Sequence, residues 1–130
     1  MTTMSELEAQ RISLKRKLTA GQAIIGPGVY DGLSARIADS IGFDVLYLSG
    51  YGVSASMLAK PDNGFLSADD MQFRIASLCE ALDTPLIADA DTGFGDISDT
   101  VARYEAAGAA GIQLEDQQVP KICGHIAGRE

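Results

Sequence analysis

Acidic side chains that could bind a metal recur at the ends of apolar segments in this sequence. LIADADTGFGD holds Asp89 and Asp91, GIQLED ends on Glu115 and Asp116, and the loop PDNG carries Asp62. Neighbouring carboxylates repel one another unless a cation lies between them. Hard oxygen ligands suit Mg²⁺, and Mn²⁺ could substitute for it. The pattern predicts a metal site made by Asp89, Asp91, Asp62 and Glu115, although an Asp after a strand is often only a turn or cap residue.

The segment KICGH combines a thiol with two groups that can carry positive charge. Cys123 lies within two residues of Lys121 and of His125, the only histidine, and Gly124 allows the loop to move. Both neighbours can stabilise a thiolate, so the thiol could act as a general acid or base, or as a nucleophile. An incidental loop thiol is the alternative. Cys79 lies on the apolar face of a predicted helix and is expected in the core.

The segment YLSGYG places Ser49, Gly50 and Tyr51 at the end of a predicted strand. Backbone N–H groups at such an end can bind a carboxylate or a phosphate. Ser-Gly is also common in ordinary loops. No glycine-rich segment has the spacing of a phosphate loop or a dinucleotide-binding loop.

Helices and strands alternate along the chain. The segment 5–21 predicts a first helix, capped by Ser5 with Glu8 in a capping box and carrying an apolar stripe that ends at Leu18. Four strands then alternate with helices, an order typical of parallel strands joined by crossover helices. The strands are predicted to begin near Ala23, Val45, Leu86 and Gly111. The helices between them are predicted to begin at Asp31, at Ser67 with Asp70 in the capping-box position, and at Asp96.

The predicted fold class is α/β, and two architectures remain open. Four βα units could form a small doubly wound sheet or the N-terminal half of a (β/α)8 barrel of the TIM type. A whole barrel needs about 250 residues, so 130 residues can hold about half of one, as a single partial domain over 1–130. In both folds the ligand site lies at the carboxyl ends of the strands, where the polar residues cluster.

Composition excludes several classes of partner. The formal charge is −8, from 18 acidic and 10 basic residues, which disfavours nucleic acid and anionic membrane surfaces. Two cysteines cannot form a disulfide framework, and no signal peptide or membrane-length apolar run is visible. We therefore expect a reduced, cytoplasmic protein.

Taken together, the motifs resemble the isocitrate lyase / phosphoenolpyruvate mutase superfamily. The matching segments, which extend from about Ala23 to the end, are GVYDGLSARIADSIGFDVLYLSGYGVSAS, KPDNGFLSADDM, PLIADADTGFGD, GAAGIQLEDQ and PKICGHIAGRE. The stretch SGYGVSAS is most similar to the small-acid lyase branch that includes 2,3-dimethylmalate lyase and petal death protein. Methylisocitrate lyases tend to have SGGG there, so Tyr51 points away from them.

The resemblance implies a (β/α)8 barrel, commonly a homotetramer, that binds Mg²⁺ and a small dicarboxylate substrate. By match to the family's motifs, the implied site residues are Asp89 and Asp91 for the metal, Asp62 and Glu115 for its waters, Tyr47, Ser49, Gly50 and Tyr51 for the substrate carboxylate, and Lys121, Cys123, Gly124 and His125 in a gating loop. In a lyase of this family the cysteine is the acid/base.

The implied reaction is cleavage of a substituted malate or methylisocitrate-like 2-hydroxy dicarboxylate into a 2-oxo acid and a carboxylate. Ile122 departs from the family, because many members have a basic residue there. The family pattern also continues past Glu130, with an arginine that holds the substrate, so we expect the 130-residue chain alone to be inactive or poorly folded. Three alternatives stay open: an oxaloacetate hydrolase or decarboxylase of the same superfamily, a non-catalytic half-barrel, and a doubly wound domain like a response regulator.

Overall fold

The computed structural model describes residues 3–124 and 127. Its strands are β1 (Gly28–Val29), β2 (Leu46–Leu48), β3 (Leu86–Asp89) and β4 (Gly111–Gln113). Its helices are α1 (Met4–Thr19), α2 (Gly32–Ile41), α3 (Gly50–Val53), which continues into a π-helical turn (Ser54–Leu58), α4 (Ala68–Cys79) and α5 (Ile97–Ala106). None of the helices in this described part is both long and apolar enough to cross a bilayer.

The four strands form one parallel sheet in the order β1-β2-β3-β4. A doubly wound sheet reverses its strand order at a switch point, whereas a barrel adds each new strand beside the previous one. The order therefore excludes the doubly wound alternative. The chain has the α/β fold of the N-terminal half of a (β/α)8 barrel.

The helices that follow β1 and β3 and the long helix before β3 begin where the sequence predicts. The Asp31 side chain accepts the Ser34 N–H at the start of α2, and Gly42 ends that helix in the left-handed region at φ 83°. Ser67 and Asp70 form the predicted capping box of α4. Asp96 caps α5. These caps fix the point at which each crossover leaves the site end of the sheet.

The prediction for the start of α1 was wrong. Thr3, not Ser5, is the N-cap, and its capping-box partner is Glu6 rather than Glu8. The Thr3 hydroxyl accepts the Glu6 N–H, and the Glu6 carboxylate accepts the Thr3 N–H. The helix thus begins two residues earlier than the sequence suggested, with Ser5 inside its first turn. The predicted apolar stripe is also shorter, because Leu18 is 56% exposed.

The predicted position of β1 was also wrong. The strand begins at Gly28, beyond the Gly-Pro-Gly segment, and not near Ala23. Only this stretch reaches β2, where Val29 pairs with Leu48. Val29 is buried, whereas Ile25 in the predicted strand is 72% exposed. Burial and pairing with β2 therefore decide where the strand lies, and the apolar composition of residues 23–25 does not.

The core lies between the sheet and the helices that cover it. Leu46, Leu48 and Leu86 from the strands are fully buried, and Tyr104 of α5 packs in the same cluster. The core fixes the sheet, so the residues at the carboxyl ends of the strands project from a rigid base.

Candidate active site

The predicted acidic residues meet at the carboxyl ends of the strands. Asp89 is the last residue of β3, and Asp91 lies in the turn that follows. Asp62 comes from the loop after the π-helical turn, and Glu115 follows β4. The Asp89, Glu115 and Asp62 charges all act on the Tyr47 hydroxyl of β2, so the four carboxylates belong to one electrostatic environment.

Backbone N–H groups hold the Asp89 carboxylate. Its Oδ2 accepts the Gly50 N–H at 3.1 Å, and its Oδ1 accepts the Asp91 N–H at 3.0 Å. A Cβ on Gly50 would lie 2.8 Å from Asp89 Oδ2, so only glycine fits there without displacement. The predicted substrate-binding Gly50 and the predicted metal ligand Asp89 are therefore in direct contact.

Asp91 has a strained backbone and a buried carboxylate. Its φ is +53°, in the left-handed region that few non-glycine residues adopt. Its Oδ1 is buried and makes no hydrogen bond of good geometry, although it forms an ion pair with Lys121. Burial raises the pKa of the Asp91 carboxyl; the Lys121 ammonium opposes this shift, and the charges of Asp89 and Asp62 add to it.

Lys121 bridges two of the predicted metal-site carboxylates. Its Nζ lies 2.8 Å from Asp62 Oδ2 and 2.8 Å from Asp91 Oδ1. Burial lowers the pKa of Lys121, but the close contacts and the charges of Asp62 and Asp91 outweigh burial, and the pKa is raised. The lysine is therefore a charged ammonium inside the acidic cluster. Sequence reasoning had placed it beside the thiol and had missed these two carboxylates.

A glutamine organises the loop that carries Lys121. The Gln117 amide nitrogen donates to Glu115 Oε2, and the Gln117 Oε1 accepts the Ile122 N–H at 3.2 Å. The Glu115 N–H donates to the Asp91 carbonyl at 2.7 Å. The segment from 115 to 122 is thus folded back on itself and attached to the turn after β3.

The remaining predicted residues differ in placement. Tyr47 donates its hydroxyl to Gln113 Oε1 at 2.6 Å, and burial together with the Asp89 charge raises its pKa. The Ser49 Oγ accepts the Gly52 N–H and so caps the four-residue α3. Tyr51 is 58% exposed.

The predicted gating loop is described only in part. Cys123 is buried, with 5% of its surface exposed, and Gly124 is exposed. His125 lies outside the described residues, so its role in the loop remains a prediction. The described part brings Lys121 to the carboxylates and Cys123 to within two residues of that contact.

The donor set fits Mg²⁺, but not as an all-protein cage. Among residues 3–124 and 127, no group of three or more His, Cys, Asp and Glu side chains is arranged to hold a metal ion. Mg²⁺ commonly takes only one or two carboxylates and keeps several waters. The buried Asp91 Oδ1, which lacks a hydrogen bond and faces an ammonium, is an oxygen of the kind that such a cation binds. The metal site stays a prediction that these residues can satisfy.

Sequence reasoning missed three supporting residues. The Tyr104 hydroxyl, fully buried in α5, lies 3.3 Å from the Asp89 carbonyl oxygen and donates to it. Gln113 and Gln117 bind Tyr47 and Glu115. The two glutamines flank the LED segment, and this position could have identified them in the sequence. Tyr104 has the pattern of an ordinary core residue, and nothing in the sequence marks its contact.

Comparison with known proteins gives consistent matches. The family model described as phosphoenolpyruvate phosphomutase matches residues 14–127. The 2,3-dimethylmalate lyase of Eubacterium barkeri is 46% identical over 120 residues, which cover 90% of this chain and 42% of that protein.

Two solved structures extend the comparison. One is oxaloacetate acetylhydrolase with the inhibitor 3,3-difluorooxalacetate, at 41% identity and a TM-score of 0.86, covering 93% of this chain and 43% of that one. The other is phosphonopyruvate hydrolase with oxalate and Mg²⁺, at 34% identity and a TM-score of 0.81, covering 87% and 41%. The chain thus spans about two fifths of the length of the relatives it matches.

Proposed function

The chain belongs to the phosphoenolpyruvate phosphomutase family, in the superfamily that also holds the isocitrate lyases, and from this premise we propose that it carries part of a carbon–carbon lyase site. The proposed reaction is the Mg²⁺-dependent cleavage of a small 2-hydroxy dicarboxylate, a substituted malate or a methylisocitrate-like acid. The products are a 2-oxo acid and a carboxylate. Relatives named as 2,3-dimethylmalate lyase and 2-methylisocitrate lyase support this class of reaction.

One observation carries the proposal: a single loop brings an ammonium into the acidic cluster and a buried thiol next to it. Lys121 lies 2.8 Å from both Asp62 and Asp91, and Cys123 follows two residues later with 5% of its surface exposed. A cleavage that leaves a carbanion needs a positive charge near the oxo-acid fragment and a proton donor near the other. This arrangement supports both needs with side chains of one loop.

The metal is proposed on the four acidic residues. Asp89 and Asp91 would hold Mg²⁺, and Asp62 and Glu115 would hold its waters. When bound, the ion supplies positive charge that stabilises the oxygen atoms of the 2-oxo acid. Mn²⁺ could take the same place. The relative solved with oxalate and Mg²⁺ supports an ion of this kind.

The other residues bind the substrate and transfer protons in this proposal. The substrate carboxylate would lie against Ser49, Gly50 and Tyr51, with Tyr47 beside it. A base removes the 2-hydroxyl proton, the C–C bond breaks, and its electron pair passes to the departing carboxylate fragment. Cys123 then gives its S–H proton to the carbon of that fragment.

The gating-loop residues have a different task. Lys121, Gly124 and His125 belong with Cys123 to the loop that covers the substrate. Excluding water from the pocket protects the carbanion-like fragment until the thiol protonates it.

Replacing Cys123 by serine tests the proposal. In the full-length protein, we expect Cys123→Ser to lower the rate of Mg²⁺-dependent 2-oxo acid release from malate derivatives by at least about 100-fold. That factor is the usual contribution of a general acid. Binding of Mg²⁺, measured by calorimetry, should be retained. Cys79→Ala is the matched control, because that thiol is buried in the core of α4. An unchanged rate in Cys123→Ser would remove the thiol from the mechanism.

Oxaloacetate hydrolysis or decarboxylation is the second candidate function. It is favoured by the similarity to oxaloacetate acetylhydrolase, whose TM-score of 0.86 equals or exceeds those of the lyases. Product analysis separates the candidates, since hydrolysis of oxaloacetate gives oxalate and acetate and decarboxylation releases CO₂. If the protein turns over neither malate derivatives nor oxaloacetate, the result would favour a non-catalytic half-barrel. A homo-oligomer and a cytoplasmic location, expected from the resemblance and the composition, stay predictions.

A further inference from the structure

The turn that joins β3 to α5 carries the proposed metal ligand Asp91 on a strained backbone. Asp91 (φ +53°), Gly93 (φ +90°), Phe94 (φ +49°) and Gly95 (φ +95°) all lie in the left-handed region. Glycine adopts such angles freely, whereas for Asp91 and Phe94 they cost free energy, and such a backbone persists only where surrounding contacts hold it. Groups outside the turn must therefore fix its shape.

Two buried hydroxyl groups of α5 bind the backbone at the two ends of this turn. The Thr100 Oγ1 donates to the Gly93 carbonyl oxygen at 2.9 Å, and the Tyr104 hydroxyl donates to the Asp89 carbonyl oxygen at 3.3 Å. Thr100 and Tyr104 are four residues apart, so their side chains lie on the same face of the helix, and they are 2% and 0% exposed. One peptide group before Asp91 and one after it are thus attached to a single helix.

The turn is held between α5 and the segment that follows β4. A Cβ added to Gly93 would lie 2.5 Å from Ile97 Cγ1, so a side chain there would clash unless the first residue of α5 moved. From the other side, the Glu115 N–H donates to the Asp91 carbonyl oxygen at 2.7 Å. A buried hydroxyl is costly unless it is hydrogen-bonded, so the helix and the turn stabilise each other through these contacts.

We infer that Thr100 and Tyr104 are positioning residues of the candidate active site, whose hydroxyl groups fix the turn so that the Asp89 and Asp91 carboxylates are already in place when a cation binds. The inference rests on the proposed metal site and adds two residues that touch neither metal nor substrate. Ligands that are held in place beforehand lose less conformational freedom on binding, so the positioning contributes to metal affinity.

Amide hydrogen exchange of the metal-free, full-length protein tests whether the hydroxyls hold the turn. Thr100→Val and Tyr104→Phe keep the shape of each side chain and remove its hydroxyl, so exchange in peptides covering 90–95 should become several-fold faster relative to peptides from α4. Thr100→Ser keeps the hydroxyl and should retain the slow exchange. Thr19→Val is the matched control, because it removes a hydroxyl that donates to the Lys15 carbonyl in α1. Unchanged exchange in both hydroxyl-free variants of α5 overturns the inference.

Calorimetric titration of the same proteins with MgCl₂ tests whether the held turn matters for the site. Thr100→Val and Tyr104→Phe should each bind Mg²⁺ at least about fivefold more weakly than the unmodified protein, the equivalent of one hydrogen bond, and Thr100→Ser should bind as tightly. A merely structural role would lower the urea midpoint of the two variants and leave their Mg²⁺ affinity unchanged. That result overturns the inference while the metal site stands. If the unmodified protein does not bind Mg²⁺ either, the proposed metal site fails, and the positioning role fails with it.

Discussion

The two ends of the sheet use the same pair of residue types to different effect. At the N-terminal end, Lys17 of α1 pairs with Asp44, and the two side chains are 35% and 48% exposed. At the C-terminal end, Lys121 pairs with Asp62 and Asp91, and these side chains are 5%, 9% and 13% exposed. Water screens the first pair and is excluded from the second. The first pair therefore attaches α1 to the segment before β2, whereas the second sets the charge of the candidate active site.

The same contrast extends to the neighbouring contacts. At the N-terminal end, the side chains of α1 bind main-chain oxygens: Gln10 donates to Asp83, and Arg11 donates to Ala109 and Glu105. At the C-terminal end, main-chain N–H groups of Gly50 and Asp91 bind a side chain, the Asp89 carboxylate. One end uses side chains to hold the backbone, and the other uses the backbone to position a reactive group.

The largest effect that tests this comparison is expected from removing the two lysine charges. Without divalent cations, Lys121→Met should lower the free energy of unfolding by about 3 kcal/mol, because it leaves buried carboxylates uncompensated. Lys17→Met should cost less than about 1 kcal/mol, since that pair is solvated. Urea unfolding of both variants measures the difference. Similar losses in the two variants would mean that burial does not distinguish the two ends.

A glycine-to-alanine pair tests the backbone's role at the C-terminal end. Gly50→Ala should destabilise the fold by about 1–3 kcal/mol, because the new Cβ would lie 2.8 Å from Asp89 Oδ2. Gly28→Ala in β1 is the matched control, because no atom lies within 4 Å of its added Cβ, and its stability should stay within about 0.5 kcal/mol. Thermal unfolding with a Mg²⁺ titration would show whether Gly50→Ala also weakens metal binding. Equal stability of the two variants would argue against a close approach at Gly50.

The smallest effect concerns salt. Asp44→Asn should cost about 0.5 kcal/mol at low ionic strength, and the cost should disappear in 1 M NaCl, where the screening length is about 3 Å. The cost of Lys121→Met should persist in the same salt, because buried charges are screened much less. Unfolding curves of both variants at 0.05 M and 1 M NaCl provide the measurement. A salt-insensitive Asp44→Asn would show that the pair is less solvated than its exposure indicates.

The strength of local signals explains which elements could be predicted. A cap residue lies within a few positions of the helix it caps, so Asp31, Ser67 and Asp96 could be identified from the sequence. The position of β1 depends on its register with β2, a contact across the sheet, and the apolar run before Gly26 gave the wrong strand. At α1, two possible capping boxes overlap, and the sequence alone does not rank Thr3 against Ser5.

The candidate site divides in the same way. Asp89, Asp91 and Glu115 follow strands, so parallel topology was enough to predict that they lie at one edge of the sheet. Asp62 reaches the same edge from the loop after the π-helical turn. The Lys121 contact with Asp62 joins residues 59 apart, and its geometry depends on how the last loop folds. Charge alone made the nearby thiol an equally reasonable neighbour for that lysine. The hydrogen bond from Tyr104 to the Asp89 carbonyl likewise requires knowing how α5 lies on the sheet.

The sequential strand order has a consequence for synthesis at the ribosome. Because each unit pairs with the one made just before it, the nascent chain can add units to the sheet in the order in which they emerge. Asp62, Asp89, Asp91 and Glu115 leave the exit tunnel before Lys121, so the growing polypeptide carries an uncompensated acidic rim until that residue appears. Free cations in the surrounding solution would offset that charge until then.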